Sequence, residues 1–191
     1  MYINSVNNLN FQARIVKSVP ILQKNNQNEY SRFDACLMEY DVTSHDDMEK
    51  IKEISKLPGF ALYGYEIYQS LLSGNDNVMN RYCFVLVDNP QKIKTEINND
   101  NILGLFTFRE IKEENKPDEV ALFITNHKYR TYWFRKVHDN EFMHIGKGMA
   151  EALKTIFPQK SIKCYSERGA VEFWKKNGFR EFAEQRLILK R

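Results

Sequence analysis

Three cysteines, two tryptophans, five prolines and eight glycines are all that the 191 residues contain of these types. Each scarcity narrows the classes open to the chain. Cys36, Cys83 and Cys164 are odd in number and show neither CxxC spacing nor a paired histidine, which argues against a disulfide scaffold and against a zinc site. All three lie in apolar, strand-like stretches and read as buried, reduced thiols of a cytoplasmic protein. His138 and His144 form no ligand set with any cysteine or carboxylate, so no metal is expected. No apolar run approaches the roughly 20 residues that cross a bilayer, and the first ten residues, four of them Asn, lack the basic-then-apolar order of a secretory signal. Neither a membrane partner nor a signal peptide is expected. Charge of neither sign dominates: 28 Lys and Arg stand against 25 Asp and Glu, a net charge of +3. That balance favours anionic ligands mildly and falls short of a nucleic-acid footprint.

Hydrophobic residues, at 42%, are numerous enough to build a real core. The polar, Asn-rich residues 1–10 read as a flexible lead, and 11–191 as one domain. Residues 11–22 and 33–42 are β-rich and flank the polar loop Gln23–Glu29, a hairpin pattern. Thr43 to Asp47 offers N-cap candidates and first-turn acids, and Met48, Ile51, Ile54 and Leu57 follow at helical spacing until Pro58-Gly59. A second, aromatic-rich helix is predicted from about Tyr65 to Leu72, closed by Ser73-Gly74. Residues 81–88, 102–111 and 119–125 then read as a three-strand meander with polar connectors. Residues 126–142 show no period and hold Tyr129, Tyr132, Trp133 and Phe134 among basic residues. After the helix described next come a strand over 161–166, a helix over 169–177, and a closing hairpin or one long strand over 179–190.

Among so few glycines, Gly146 and Gly148 stand out. The stretch Met143-His144-Ile145-Gly146-Lys147-Gly148 runs straight into a helix whose stripe is Met149, Ala152, Leu153, Ile156 and Phe157, stopped by Pro158. A glycine loop opening a helix is an anion site. Glycines permit a tight turn and close approach, and the first unpaired N–H groups sit at the positive end of the helix dipole. Lys147 adds a mobile cation, and the bland alternative for it is a solvated first-turn lysine. Some twenty residues on, Gly169-Ala170-Val171-Glu172-Phe173-Trp174-Lys175-Lys176-Asn177-Gly178-Phe179 reads as a short helix closed by Asn-Gly and an aromatic residue.

These two motifs, at this separation and after this order of elements, resemble the GNAT superfamily of acyl-CoA N-acyltransferases over roughly Phe33 to Arg191. The Gln/Arg-x-x-Gly-x-Gly/Ala loop of that family falls on Met143 to Gly148, and its Ala-x-x-Phe-Tyr-x-x-x-Gly-Phe helix on Ala170 to Phe179. The resemblance implies an α/β fold: a twisted mixed sheet flanked by helices on both faces, here with an added N-terminal strand. It implies that two central strands splay to admit the pantetheine arm of acetyl-CoA, with Ile124 on the lining strand. It places the pyrophosphate on the N–H groups of His144, Ile145, Gly146, Lys147 and Gly148, with Trp174 beside the cofactor. A Gly148→Trp substitution is then expected to block the site in a folded chain. Lys128, Arg130 and Arg135 are candidates for the adenosine 3′-phosphate, the alternative being a solvated basic surface. The implied activity is transfer of an acetyl or acyl group to a small-molecule or peptide amine by direct attack, in a monomer or homodimer with no nucleic-acid partner.

Two residues depart from the family pattern. Met143 stands where Gln or Arg is usual. Trp174 stands where many members have the tyrosine that protonates departing coenzyme A, and an indole N–H donates a hydrogen bond without giving up its proton near neutral pH. Tyr165 and Ser166 are the substitute acids, and Glu119 and His127 the candidate general bases, each against a purely structural alternative. Tyr132 and Trp133 are candidates for an acceptor wall or for anchors of the 126–142 segment. Tyr63, Tyr65 and Tyr68 fall where the family often builds its acceptor pocket, and read equally well as core. The departures keep a second reading open, a catalytically impaired acyl-CoA-binding or interaction protein, and the basic, aromatic segment a third, a nucleic-acid binder.

Overall fold

The first β-rich runs pair as a long hairpin in the computed structural model, which describes residues 13–72, 77–130 and 141–191. Strands β1 (Arg14–Lys24) and β2 (Tyr30–Tyr40) meet antiparallel around a shorter loop than the sequence suggests. The Asn25 carboxamide oxygen accepts from the amides of Gln27 and Glu29, both at 2.9 Å, and closes that loop. Helix α1 (His45–Lys56) is capped by Ser44, whose hydroxyl accepts from the Asp47 N–H, and α2 (Gly64–Leu72) follows a single 3-10 turn, Ala61–Tyr63. The predicted Ser73-Gly74 stop and the 1–10 lead lie outside the described residues.

The meander is present as β3 (Val78–Val87), β4 (Ile102–Ile111) and β5 (Asp118–Thr125), all antiparallel. Its first connector is not wholly irregular, because it contains α3 (Pro90–Thr95). The signal was there to read: Asn89 caps the Gln91 N–H at 2.9 Å and Pro90 sits in the first turn, where its missing N–H costs nothing. Beyond β5 come a 3-10 turn, His127–Tyr129, and then β6 (Phe142–Met143), which pairs with β1. There follow α4 (Ile145–Ile156), β7 (Ile162–Tyr165), a 3-10 turn, Arg168–Ala170, leading into α5 (Val171–Lys176), and the hairpin β8 (Arg180–Ala183) with β9 (Arg186–Leu189).

Among the described residues one nine-stranded sheet results, in the order β6-β1-β2-β3-β4-β5-β7-β9-β8. Its pairs are antiparallel except β5 with β7, which run parallel because α4 carries the chain back between them. This is the twisted-sheet α/β architecture expected of the chain, with helices on both faces and the β1 strand added at the N-terminal side. Two cores result, one on each face. One gathers Val19, Phe84, Phe106, Leu153 and Trp174 beneath α4 and α5, and the other gathers Ile51, Ile54, Ile67, Val85 and Leu105 beneath α1 and α2. Cys83 and Cys164 are buried thiols within strands, whereas Cys36 is partly open. Among the described residues no helix is long and apolar enough to cross a membrane.

The second sequence motif has a structural basis at its C-terminal half. Phe179 N–H bonds to the Trp174 carbonyl at 3.1 Å and Gly178 N–H to that of Lys175 at 3.0 Å, with Gly178 at φ 91°. That is a Schellman cap, and the Trp174 and Phe179 rings, 4.8 Å apart, supply its hydrophobic contact. Gly178→Ala is expected to cost about 1 kcal/mol, the penalty of a Cβ in left-handed backbone, measurable by urea unfolding with an unchanged m-value.

Candidate functional site

Strands β5 and β7 pair only at Asp118/Ile162, Glu119/Lys163 and Val120/Cys164. Past that point β5 continues to Thr125 while β7 ends at Tyr165, so the sheet divides and the divided part is open. A cavity of about 650 Å³ fills the gap, walled by Ala121 to Thr125 on one side and Tyr165 to Glu167 on the other. The start of α4 and the Phe173 and Trp174 side chains of α5 close it on one face of the sheet, and Tyr63 and Arg130 flank it.

The turn into α4 is made differently from the sequence expectation. Neither Gly146 nor Gly148 has a positive φ; the left-handed residue is His144, at φ 63° and ψ 16°. A left-handed residue followed by helical ones turns successive N–H groups toward a common point, an anion-binding nest. The amides of Ile145, Gly146 and Lys147 precede the first bond within the helix, which Gly148 N–H makes to the His144 carbonyl at 2.9 Å. Gly148 is therefore not one of the free donors.

The two glycines are small for two different reasons. A Cβ on Gly148 would stand 2.7 Å from Val19 Cγ1 and 3.2 Å from the Pro20 carbonyl oxygen, so this glycine lets α4 lie against β1. Gly148→Trp would break that packing, which overturns the expectation of a blocked yet folded chain. A Cβ on Gly146 would instead meet the Phe173 ring at 3.3 Å and Thr125 Oγ1 at 3.5 Å, at the wall of the cavity. Gly104 completes the seat of α4, since a Cβ there would overlap the Met149 thioether, 2.7 Å from its methyl carbon.

The cavity borders include His144, Ile145, Gly146, Lys147 and Trp174. Lys147 and His144 are exposed at its mouth, Met143 is half-buried beside them, and Ile145 is buried in the core. Ile124 borders the cavity although its side chain is packed in the core on the opposite face. Trp174 is 4% exposed and meets Phe123 edge-on at 4.9 Å, so its ring is at once core and cavity wall. Tyr165 lines the cavity and is 71% exposed. Ser166 is buried, and its hydroxyl donates to the Glu167 carbonyl at 2.9 Å. Glu119 is not brought to the cavity: it pairs with Lys163 at 3.5 Å and precedes Ile124 by roughly 16 Å of extended strand. His127 lies behind Tyr63, ring centroids 5.8 Å apart. Burial and then the Arg130 charge hold its imidazole below the usual histidine range, against the opposing pull of Glu167, so it is neutral at pH 7.

Of the basic candidates, Lys128 is engaged elsewhere, with Asp100 at 2.7 Å. Arg130 borders the cavity, its Nε donating to the Thr125 carbonyl at 2.9 Å and its Nη1 to the Tyr63 hydroxyl at 3.3 Å. Tyr132, Trp133, Arg135 and His138 lie outside the described residues. Of the three predicted acceptor tyrosines only Tyr63 lines the cavity; Tyr65 is exposed and Tyr68 half-buried. Glu167, which the sequence does not single out, reaches the same hydroxyl, the Tyr63 O–H donating to its Oε1 at 3.3 Å. Its only sequence signal is its place directly after Tyr165-Ser166 at a strand end. Among the described residues no three His, Cys, Asp or Glu side chains gather as a metal set.

No protein-family model matches the chain, and no curated protein matches its sequence. Among solved structures it is similar to the crystal structure of Escherichia coli ElaA, with 13% sequence identity and a TM-score of 0.47 over 82% of this chain and 99% of that one.

Proposed function

We propose that the protein is an acyl-CoA-dependent N-acyltransferase, most simply an acetyltransferase. The observation that carries the reading is a coincidence of place. The nest at His144 and the free amides of α4 open onto the same cavity that the divided strands β5 and β7 create. A pyrophosphate fits the first feature, because it needs several converging donors without side-chain bulk. A narrow pantetheine arm fits the second, where β5 from Ala121 to Thr125 is not paired with β7. Acetyl-CoA would supply the activated acyl group.

In this reading Ile145, Gly146 and Lys147 hold the diphosphate through their N–H groups, and Trp174 and Phe173 wall the arm. The acceptor amine attacks the thioester carbon; the C–N bond forms, the C–S bond breaks, and the amine proton is lost to a base. A thiol of pKa about 8.5 leaves as the thiolate without an acid. That chemistry is compatible with Trp174, which can offer its sulfur only a hydrogen bond.

Calorimetry with acetyl-CoA and a thiol-release assay over a panel of amines test the proposal. Binding accompanied by thiol release with at least one amine is expected. Binding without turnover on any amine favours the alternative, an acyl-CoA-binding or interaction protein, for which the burial of Trp174 as a core residue speaks. Absence of binding overturns both.

A further inference from the structure

Arg130 and Glu167, both in the cavity lining, meet at one hydroxyl. Arg130 Nη1 donates to the Tyr63 oxygen at 3.3 Å and the Tyr63 O–H donates to Glu167 Oε1 at 3.3 Å. The guanidinium also lies over the Tyr63 ring, 5.3 Å from its centroid. A fixed cation and a fixed anion are thus two hydrogen bonds apart, and neither forms an ion pair with a described residue. The arrangement is held from behind: Arg130 Nε is anchored on the Thr125 carbonyl at the end of β5, and Glu167 follows Ser166, whose own amide is tied to the Gln185 carbonyl at 2.8 Å. With Nε and one Nη1 hydrogen engaged, the guanidinium keeps donors for a carboxylate. Glu167 is exposed and keeps acceptor sites for an ammonium.

We infer that the acceptor is a free α-amino acid, its carboxylate held by Arg130 and its amino group by Glu167. The inference rests on the acyltransferase reading above and adds the substrate class. An α-amino acid carries its two charges one carbon apart, a spacing that lets both be met across the single hydroxyl. A simple amine lacks the carboxylate, and a peptide N-terminus has a neutral amide in its place. Tyr63 serves as the spacer that keeps the two charges from closing on each other. Its ring, beneath the guanidinium, also fixes the direction in which Arg130 points. The bound ammonium first loses one proton to solvent; the amine then attacks, the C–N bond forms as the C–S bond breaks, and the second amine proton ends on the departing thiolate, giving the N-acyl amino acid and coenzyme A with a net loss of one proton.

The test uses the full chain with acetyl-CoA and, as probes, the twenty standard amino acids and the same compounds as C-terminal amides. The amides are less basic, so more of each is unprotonated at pH 7.5, which works against the expected result. The expectation is kcat/KM at least about tenfold higher for one or more amino acids than for the matching amide, the scale of one charge-assisted hydrogen-bond pair. Arg130→Met is expected to remove that preference and Arg130→Lys to restore part of it, with acetyl-CoA affinity within twofold of wild type in both. Glu167→Gln is expected to raise KM for the amino acid about tenfold. Amides turned over as well as acids, or Arg130 variants that lose acetyl-CoA affinity, overturn the inference and leave the acyltransferase reading standing. If acetyl-CoA binds but calorimetry on the coenzyme A complex finds no amino acid bound and none is turned over, the inference likewise falls. Failure of wild type to bind acetyl-CoA removes the acyltransferase reading itself.

Discussion

A Gly146→Phe protein is expected to fold as wild type does and to bind acetyl-CoA at least about a hundredfold more weakly, a loss of about 2.7 kcal/mol. Position 146 is the second residue of α4, among the amides with no partner inside the helix. A Cβ there would stand 3.5 Å from Thr125 Oγ1, an ordinary contact, and 3.3 Å from the edge of the Phe173 ring, which must give by a few tenths of an ångström at the cavity wall. A ring beyond that Cβ has nowhere to go except the cavity between α4, β5 and α5. Replacing a helical glycine also improves helix propensity by up to about 1 kcal/mol, so folding is not what the substitution spends. Gly146→Ala serves as the graded control, with an affinity loss of under about tenfold. Gly148→Trp gives the contrast: its Cβ meets Val19 at 2.7 Å, and the expected outcome is a lowered melting temperature. Calorimetry with acetyl-CoA and thermal unfolding separate the three. Unchanged affinity in Gly146→Phe would remove the α4 entrance from the site.

How far the sequence reveals this arrangement depends on which physics a residue answers to. Helix α1, α2 and the β3–β5 meander are legible because burial of one face writes a period into the chain. Helix α3 escapes because six residues are too few to show a period, although its Asn-Pro start is a local signal. Gly146 and Gly148 look alike in sequence and differ in role, since only the packing partner, Phe173 in one case and Val19 in the other, distinguishes them. Sequence assigns the turn to the glycines, whereas the backbone makes it at His144. The Gly178-Phe179 pair carries a meaning visible only in the backbone: it is the cap that holds Trp174. Tyr63, Arg130 and Glu167 come from three separated parts of the chain and meet through tertiary contacts alone. No pattern within a window of one element records such a meeting.

Asn126→Ala is expected to cost about 3–5 kcal/mol of stability. Asn126 is wholly buried and joins three segments. Its Nδ2 donates to the carbonyls of Asn99 at 2.8 Å and Ile102 at 2.7 Å, and its Oδ1 accepts the Lys128 N–H at 2.9 Å. Around it, Gly59 N–H reaches the Asn99 side chain at 2.7 Å and His127 N–H reaches the Gly59 carbonyl at 3.1 Å. A Cβ on Gly59 would overlap the Asn126 carboxamide, so the loop after α1, the turn before β4 and the end of β5 are mutually fitted there. Alanine leaves three backbone groups without these partners, the Ile102 carbonyl fully buried and the other two part-buried, each costing about 1–3 kcal/mol where it stays unsatisfied. For a chain of this length that loss lowers the melting temperature by roughly 10 °C.

Asn126→Asp separates hydrogen bonding from volume. Its carboxylate would face two carbonyl oxygens, which raises its folded pKa above the unfolded value near 3.9. The folded state then holds the proton more tightly, so this variant is most stable below pH 4 and weakens as pH rises through the folded pKa. Relative to wild type, the deficit of Asn126→Asp is therefore expected to grow from pH 4 to pH 8, while that of Asn126→Ala stays flat. Urea unfolding of the two variants at both pH values checks this. A loss under about 1 kcal/mol in Asn126→Ala would mean that water replaces the carboxamide. Because Asn126 directly follows Thr125 and caps the turn that leads to Arg130, both variants are also expected to blur the placement of that guanidinium, raising acceptor KM before they unfold.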